Sequence, residues 1–171
     1  MHSKTRLSHR IAFVLGALFF LSGAHAAPPD SGLKDSEALR DLKTAKGVFM
    51  LDLKDPGRMA HVLKVIEETG QGMAKQNVKP ELVVVVIGPS VAFLTRDRRG
   101  ISYMDQRSVS EIQSTIGKLK KAGIRIEACG LALRGMDVAP DVLIPEVTPV
   151  GNGYSSAIGY QMQGYQLVPV Y

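Results

Sequence analysis

An apolar run at residues 81–88 (ELVVVVIG) is the feature that most constrains the fold. Its four consecutive valines have no polar residue between them, so the strand that they predict has no face suited to water. Strands buried on both faces occur in parallel sheets that are covered by helices on either side. The run therefore predicts an inner strand of an α/β protein.

Strand-like and helix-like segments alternate along the rest of the chain. The predicted strands lie at 46–53, 81–88, 124–129, 147–150 and 166–170, and the predicted helices at 56–76, 89–95, 108–123, 131–136 and 155–163. Asp55 and Pro56 form a typical helix start, and Ser108 with Glu111 forms a capping box. Such alternation predicts a three-layer α/β sandwich with a mainly parallel, about five-stranded sheet in a flavodoxin-like order.

The first 26 residues have the pattern of a secretory signal. Three basic residues precede an uncharged apolar run of 11 residues at 11–21, and residues 24–26 (AHA) provide small residues before a cleavage site. The run is shorter than the roughly 20 residues that cross a bilayer. We expect a signal peptide at 1–26, a polar leader at 27–45 and an α/β domain at 46–171. The mature protein would be periplasmic or secreted, without stable membrane insertion; an uncleaved anchor is the alternative.

The charge and histidine content narrow the function classes. The net charge of +5 falls to +2 once residues 1–26 are removed, which is too small for a nucleic-acid-binding protein. The dense basic run at 96–99 (RDRR) is typical of a solvated loop. His61 is the only histidine after residue 26, so we expect no multi-histidine metal site and no cofactor.

Cys129 is the strongest candidate for chemistry because it ends a predicted strand directly before a short helix. Backbone N–H groups at a helix N-terminus stabilise a thiolate, which can hold sulfane sulfur as a persulfide or be oxidised. The alternative is a buried structural cysteine. Further residues at the same carboxyl edge of the sheet are expected to contact a bound group, namely Gly88, Ser90, Gly130 and Asn152.

The order of these segments resembles the DsrE/DsrF-like family, which includes sulfur-relay proteins. The resemblance covers about residues 46–171 and rests on the segments DP at 55–56, HVL at 61–63, VVVVIGP at 83–89, KKAGI at 120–124, IEAC at 126–129, PEV at 145–147 and GY at 164–165. It implies a compact α/β domain that forms homo-oligomers, as trimers or hexamers. It also implies that a cysteine at the position of Cys129 carries persulfide sulfur between donor and acceptor proteins.

Three functions follow as hypotheses. The leading one is an exported persulfide carrier that uses the single thiol of Cys129 and acts as a carrier more than as a turnover enzyme. The second is a non-catalytic, oligomeric binding or assembly module in which this cysteine is structural. The third is a thiol-based redox sensor, which would take up oxygen in place of sulfur.

Overall fold

Residues 32–170 are described by the computed structural model, and they form a parallel sheet with helices on both faces. The expected signal peptide and the start of the leader lie outside the described residues. The strands are β1 (Thr44–Leu51), β2 (Lys79–Val86), β3 (Arg125–Cys129), β4 (Val147–Val150) and β5 (Gln166–Val168). The α-helices are α1 (Pro56–Lys75), α2 (Gln106–Lys121), α3 (Gly130–Gly135) and α4 (Gly153–Met162), with 3₁₀ turns at Gly88–Leu94, Tyr103–Asp105 and Pro140–Val142. The predicted α/β class and five-stranded sheet are confirmed.

The strand order is β4-β3-β2-β1-β5, with every pair parallel. A flavodoxin-like order would place β1 between β2 and β3, so that part of the prediction is wrong. The chain steps in one direction from β1 to β4, and right-handed crossovers therefore place α1, α2 and α3 on one face. The return from β4 to the free edge of β1 reverses direction, which puts α4 on the opposite face.

Two hydrophobic cores lie on the two faces of the sheet. Val84 and Val86 of β2 point into the larger core under α1, α2 and α3. Val83 and Val85 point into the smaller core under α4, as expected from the alternation of side chains along a strand. All four valines are at most 1% exposed, which confirms that this strand is buried on both faces.

The start of α1 agrees with the sequence prediction. The carboxylate of Asp55 accepts a hydrogen bond from the backbone N–H of Arg58 at 2.6 Å. Pro56 is the first helical residue, where its missing N–H costs nothing. The helix packs on the larger core through Met59 and Leu63, both of which are fully buried.

The start of α2 differs from the sequence prediction. The helix begins at Gln106, two residues before Ser108, so the expected capping box is wrong. The hydroxyl of Ser102 instead accepts a hydrogen bond from the N–H of Asp105 in the preceding 3₁₀ turn. The 3₁₀ turn ends at Asp105, and the helix follows it directly at Gln106. The end is as predicted: Gly123 has a φ of +81°, the left-handed conformation that commonly follows a helix.

The described part of the leader contacts the C-terminal end of α1. The N–H of Asp35 donates to the side-chain oxygen of Gln76 at 2.8 Å, and the amide of Gln76 donates back to the Asp35 carboxylate at 3.2 Å. Residues 36–41 form turns, and β1 already begins at Thr44. Among the described residues, no helix is long and apolar enough to cross a membrane.

Candidate functional site

The carboxyl ends of β3 and β4 form the point where the direction of the chain connections reverses. β3 leads into α3 on one face of the sheet, and the adjacent β4 leads into α4 on the other face. In open parallel sheets such a reversal is where ligands bind. Cys129 ends β3, Gly130 follows it, and Asn152 directly precedes α4. The fold therefore brings these three predicted site residues to one place.

The thiol of Cys129 lies at the N-terminus of a helix other than the one that the sequence indicates. The residue is only 2% exposed and forms no side-chain cap on α3, which follows it in the chain. Its Sγ instead accepts a hydrogen bond from the backbone N–H of Gly153, with a nitrogen–sulfur distance of 3.1 Å. Gly153 is the first residue of α4. The positive end of the α4 dipole therefore faces the sulfur.

Two glycines allow the backbone to approach this closely. A Cβ atom on Gly153 would lie 2.7 Å from Cγ2 of Ile87 and 3.1 Å from Cβ of Cys129. A Cβ atom on Gly130 would lie 2.7 Å from the carbonyl oxygen of Val150 at the end of β4. All three distances are too short for a comfortable carbon contact. Glycine at these two positions is thus a condition for the contact between the sulfur and α4.

A buried carboxylate, Glu127, lies on the same face of β3 as Cys129 and is not among the site residues that the sequence predicts. It is 8% exposed. The hydroxyl of Tyr160 donates to its Oε1 at 2.6 Å, and the hydroxyl of Ser156 donates to its Oε2. The available signal was the acidic residue at the centre of the otherwise apolar half of β3, residues 126–129 (IEAC), where an unpartnered carboxylate would be costly.

Ionisation of Tyr160 makes the stability of this network depend on pH in the alkaline range. Burial, and then its hydrogen bond to Glu127, raise the pKa of the Tyr160 phenol to about 12, from an ordinary value of 10.0. The folded state therefore holds this proton more tightly than the unfolded chain does. Its contribution to stability is complete below pH 10 and is lost as the pH rises towards 12.

We expect the free energy of unfolding to fall by on the order of 2 kcal/mol between pH 10 and pH 12 because of Tyr160. Urea unfolding across this range measures the effect. Tyr160→Phe, which has no phenol to ionise, should show a shallower fall. Equal slopes for the two proteins would contradict the assignment.

The predicted residues Gly88 and Ser90 lie in the loop after β2. The Ser90 hydroxyl is fully buried, accepts from the N–H of Leu53 at 2.6 Å and donates to the Leu53 carbonyl at 2.8 Å. Gly88 has a φ of +54°, and the carboxylate of Asp52 occupies the space where its Cβ would stand. These contacts join the ends of β1 and β2. A role in binding a ligand stays a prediction for both residues.

Of the remaining residues that the sequence singles out, Asn152 caps a helix, and His61 and Arg134 are exposed. The side-chain oxygen of Asn152 accepts from the N–H of Tyr154 at 2.9 Å and so caps α4. His61 is exposed on α1, on the other face of the sheet from the sulfur of Cys129, and the two form no catalytic pair. Arg134 is exposed in the last turn of α3. Within residues 32–170, no three histidine, cysteine or acidic side chains group as a metal site.

An apolar groove of about 630 Å³ lies between α1 and β5, on the face of the sheet opposite α4. We call it the α1–β5 groove. Its lining includes Phe49, Val62, Val65, Val168 and Val170. Val65 is 45% exposed and Val168 is 37% exposed. Cys129 packs on the other face, so the groove is not part of the thiol site.

The sequence is similar to a known protein family. The model of the DsrE/DsrF-like family matches residues 17–170, which is most of the chain. The chain belongs to the DsrE/DsrF-like family. Within this DsrE/DsrF-like chain, Cys129, α4 and the buried Glu127 all lie inside the matched region. No curated protein matches the sequence significantly.

Two solved structures are similar to this chain. The chain is similar to the protein of unknown function MTH1491 from Methanobacterium thermoautotrophicum, with 22% identity over 76% of this chain and 100% of that one, and a TM-score of 0.57. It also aligns with the ychN protein from E. coli, with 13% identity over 74% of this chain and 99% of that one, and a TM-score of 0.49. The first likeness shows the fold of this chain and carries no functional assignment.

Proposed function

We propose that the protein carries sulfane sulfur as a persulfide on Cys129. The observation that carries the proposal is the hydrogen bond from the Gly153 N–H to the cysteine sulfur at the N-terminus of α4. Such a donor stabilises the thiolate that must attack a sulfur donor. Membership of a family that includes sulfur-relay proteins supports the same chemistry.

The transfer step needs no other reactant than a donor persulfide. The thiolate of Cys129 attacks the outer sulfur of a donor R–S–SH, and a new S–S bond forms as the old one breaks. The donor leaves as a thiolate and takes up the proton that the Cys129 thiol lost when it became the attacking thiolate. One thiol and one persulfide are present before and after, so there is no net oxidation. The same step in reverse delivers the sulfur to an acceptor thiol.

The proposal includes a place and partners for the protein. The basic and apolar pattern of residues 1–26 supports export, so the carrier would act in the periplasm or outside the cell. A donor and an acceptor protein would then meet it there. A carrier returns to its starting state only after both have acted, which distinguishes it from an enzyme that completes turnover alone.

The burial of the thiol favours a second candidate, a binding or assembly module with a structural cysteine. Cys129 is 2% exposed and packs in the smaller core with Val85, Ile87 and Ala157. Free cysteine is commonly a small, inert core residue. In this case the hydrogen bond from Gly153 holds α4 on the sheet and has no chemical role.

Intact mass spectrometry of the folded protein after exposure to polysulfide separates the two candidates. A carrier should gain about 32 Da for each sulfur atom, and dithiothreitol should remove it. Cys129→Ser should show no gain. An unchanged wild-type mass, with alkylation of the thiol only after unfolding, would overturn the carrier in favour of the structural cysteine. A gain of oxygen alone would indicate a redox sensor.

We also propose that the protein is a homo-oligomer, either a trimer or a hexamer. The α1–β5 groove supports this, since Val65 of α1 and Val168 of the edge strand β5 are exposed apolar side chains. β5 is an edge strand that a neighbouring subunit would protect. Light scattering coupled to gel filtration measures the subunit number, and a monomer at micromolar concentration would contradict the proposal.

A further inference from the structure

β3 and α4 contact each other at successive levels along their length. Near the carboxyl end of β3, the sulfur of Cys129 meets the N–H of Gly153. Two residues earlier on the same face of the strand, Glu127 accepts hydrogen bonds from Ser156 and Tyr160. On α4 these partners follow Gly153 by three and seven residues, the spacing of one helix face. The helix therefore meets the strand along a single stripe.

A third contact lies at the start of β3. Arg125 donates to the hydroxyl of Tyr160 at 3.4 Å, and its guanidinium lies 5.8 Å from the centre of the Tyr160 ring. Arg125 itself is exposed. Tyr160 thus contacts both Glu127 and Arg125. These polar contacts hold the C-terminal half of α4 on the sheet. Hydrogen bonds are directional, so these contacts add to the close packing of α4 in fixing its position along the strand.

The choice of a carboxylate at position 127 needs a reason. The smaller core, which includes Val83, Val85 and Ala157, lies on the same face of the sheet. Removing a carboxylate from water is costly, and an apolar side chain would fill this place without that cost. Both carboxylate oxygens of Glu127 are used by hydroxyl groups of α4. The carboxylate therefore ties β3 to two positions on α4.

We propose that Glu127 is a positioning residue for the reactive thiol. By binding Ser156 and Tyr160, it sets the position of α4 along β3. This position keeps the N–H of Gly153 within hydrogen-bond distance of the sulfur of Cys129. The inference rests on the proposed persulfide carrier for its functional meaning. Its structural part, the coupling between Glu127 and the Gly153 N–H, can be tested separately.

The test compares one single variant with one triple variant. Glu127→Leu leaves the half-buried Ser156 hydroxyl and the buried Tyr160 hydroxyl without their acceptor and should destabilise the protein. Adding Ser156→Ala and Tyr160→Phe removes these hydroxyl groups and should restore most of the stability, since a fully apolar replacement of a buried polar network is often neutral. The triple variant therefore separates the stability of the fold from the position of α4.

Two readouts are taken on each protein. Amide hydrogen exchange at Gly153 reports the hydrogen bond to the sulfur, and the initial rate of sulfur uptake from polysulfide reports the reactivity of Cys129. In the triple variant we expect Gly153 to exchange about tenfold faster, and sulfur uptake to be about tenfold slower, than in wild type, as for the loss of one hydrogen bond. Wild-type values of both in a stable triple variant would overturn the inference.

Smaller changes guard against a triple variant that does not fold. Ser156→Ala removes one hydroxyl and leaves Tyr160 on Glu127, so Gly153 exchange should rise by a smaller factor. Ser155→Ala on the exposed side of α4 is the matched control and should leave exchange unchanged. Equal effects of the two would overturn the inference. If wild type takes up no sulfur, the carrier proposal fails, and the exchange at Gly153 still decides the role of Glu127.

Discussion

Replacement of Gly153 by valine is expected to destabilise the fold by about 3 kcal/mol and to break the hydrogen bond to Cys129. The new Cβ would stand 2.7 Å from Cγ2 of Ile87 and 3.1 Å from Cγ1 of Val85. Both atoms belong to β-branched side chains, one in the inner strand β2 and one directly after it, which have little freedom to turn away. The helix must therefore lift from the sheet, and its first N–H then leaves the sulfur.

Gly159→Val in the middle of α4 is the matched control. A Cβ atom there meets nothing within 4 Å. Glycine and valine differ little in helix propensity, so its free energy of unfolding should stay within about 0.5 kcal/mol of wild type. Urea unfolding measures both variants. If Gly153→Val proved as stable as Gly159→Val, the close packing of α4 on β2 and β3 would be wrong.

Replacement of Gly130 by alanine is expected to cost about 2 kcal/mol even though alanine is the best helix former. Its Cβ would lie 2.7 Å from the carbonyl oxygen of Val150 and 3.1 Å from that of Gly151. These are backbone atoms of and directly after β4, so relief requires the edge strand to separate from β3. We expect the same variant to loosen the segment that leads into α4.

Gly135→Ala, at the other end of α3, should have the opposite sign. A Cβ atom added there would meet nothing within 4 Å, and the φ of Gly135 is not positive. Alanine should therefore stabilise the helix by about 0.5 kcal/mol or more. Thermal unfolding monitored by circular dichroism compares the two variants. A stabilised Gly130→Ala would show that β3 and β4 are not this close at their ends.

The elements that local sequence determines are those that were predicted well. The valine run of β2 needed only its own apolar residues to indicate burial, and Asp55 with Pro56 was enough to place the start of α1. The strand order was not accessible in this way, because it depends on which edge β5 joins. Its partner β1 lies more than a hundred residues earlier, and no local pattern in residues 166–168 (QLV) encodes that choice.

The site was predicted in part for the same reason. The end of a strand was enough to single out Cys129. The helix that faces its sulfur was not, because Gly153 lies 24 residues further along the chain and reaches the sulfur only through the reversal between β3 and β4. Glu127 could have been found as an acidic residue within a buried strand. Its partners on α4 could not, since a hydroxyl on a helix matches many acceptors.

The return of α4 across the sheet also has a consequence for the order of folding. Strands β2, β3 and β4 each pair with the strand directly before them in the chain, whereas the pairing of Gly47 with Gln166 must wait for the last part of the chain. Closing so long a loop is slow compared with local contacts. Until residues 153–168 are made and docked, the face that carries Cys129 is uncovered. Burial of the Cys129 side chain, which is 2% exposed in the folded protein, therefore comes late in folding.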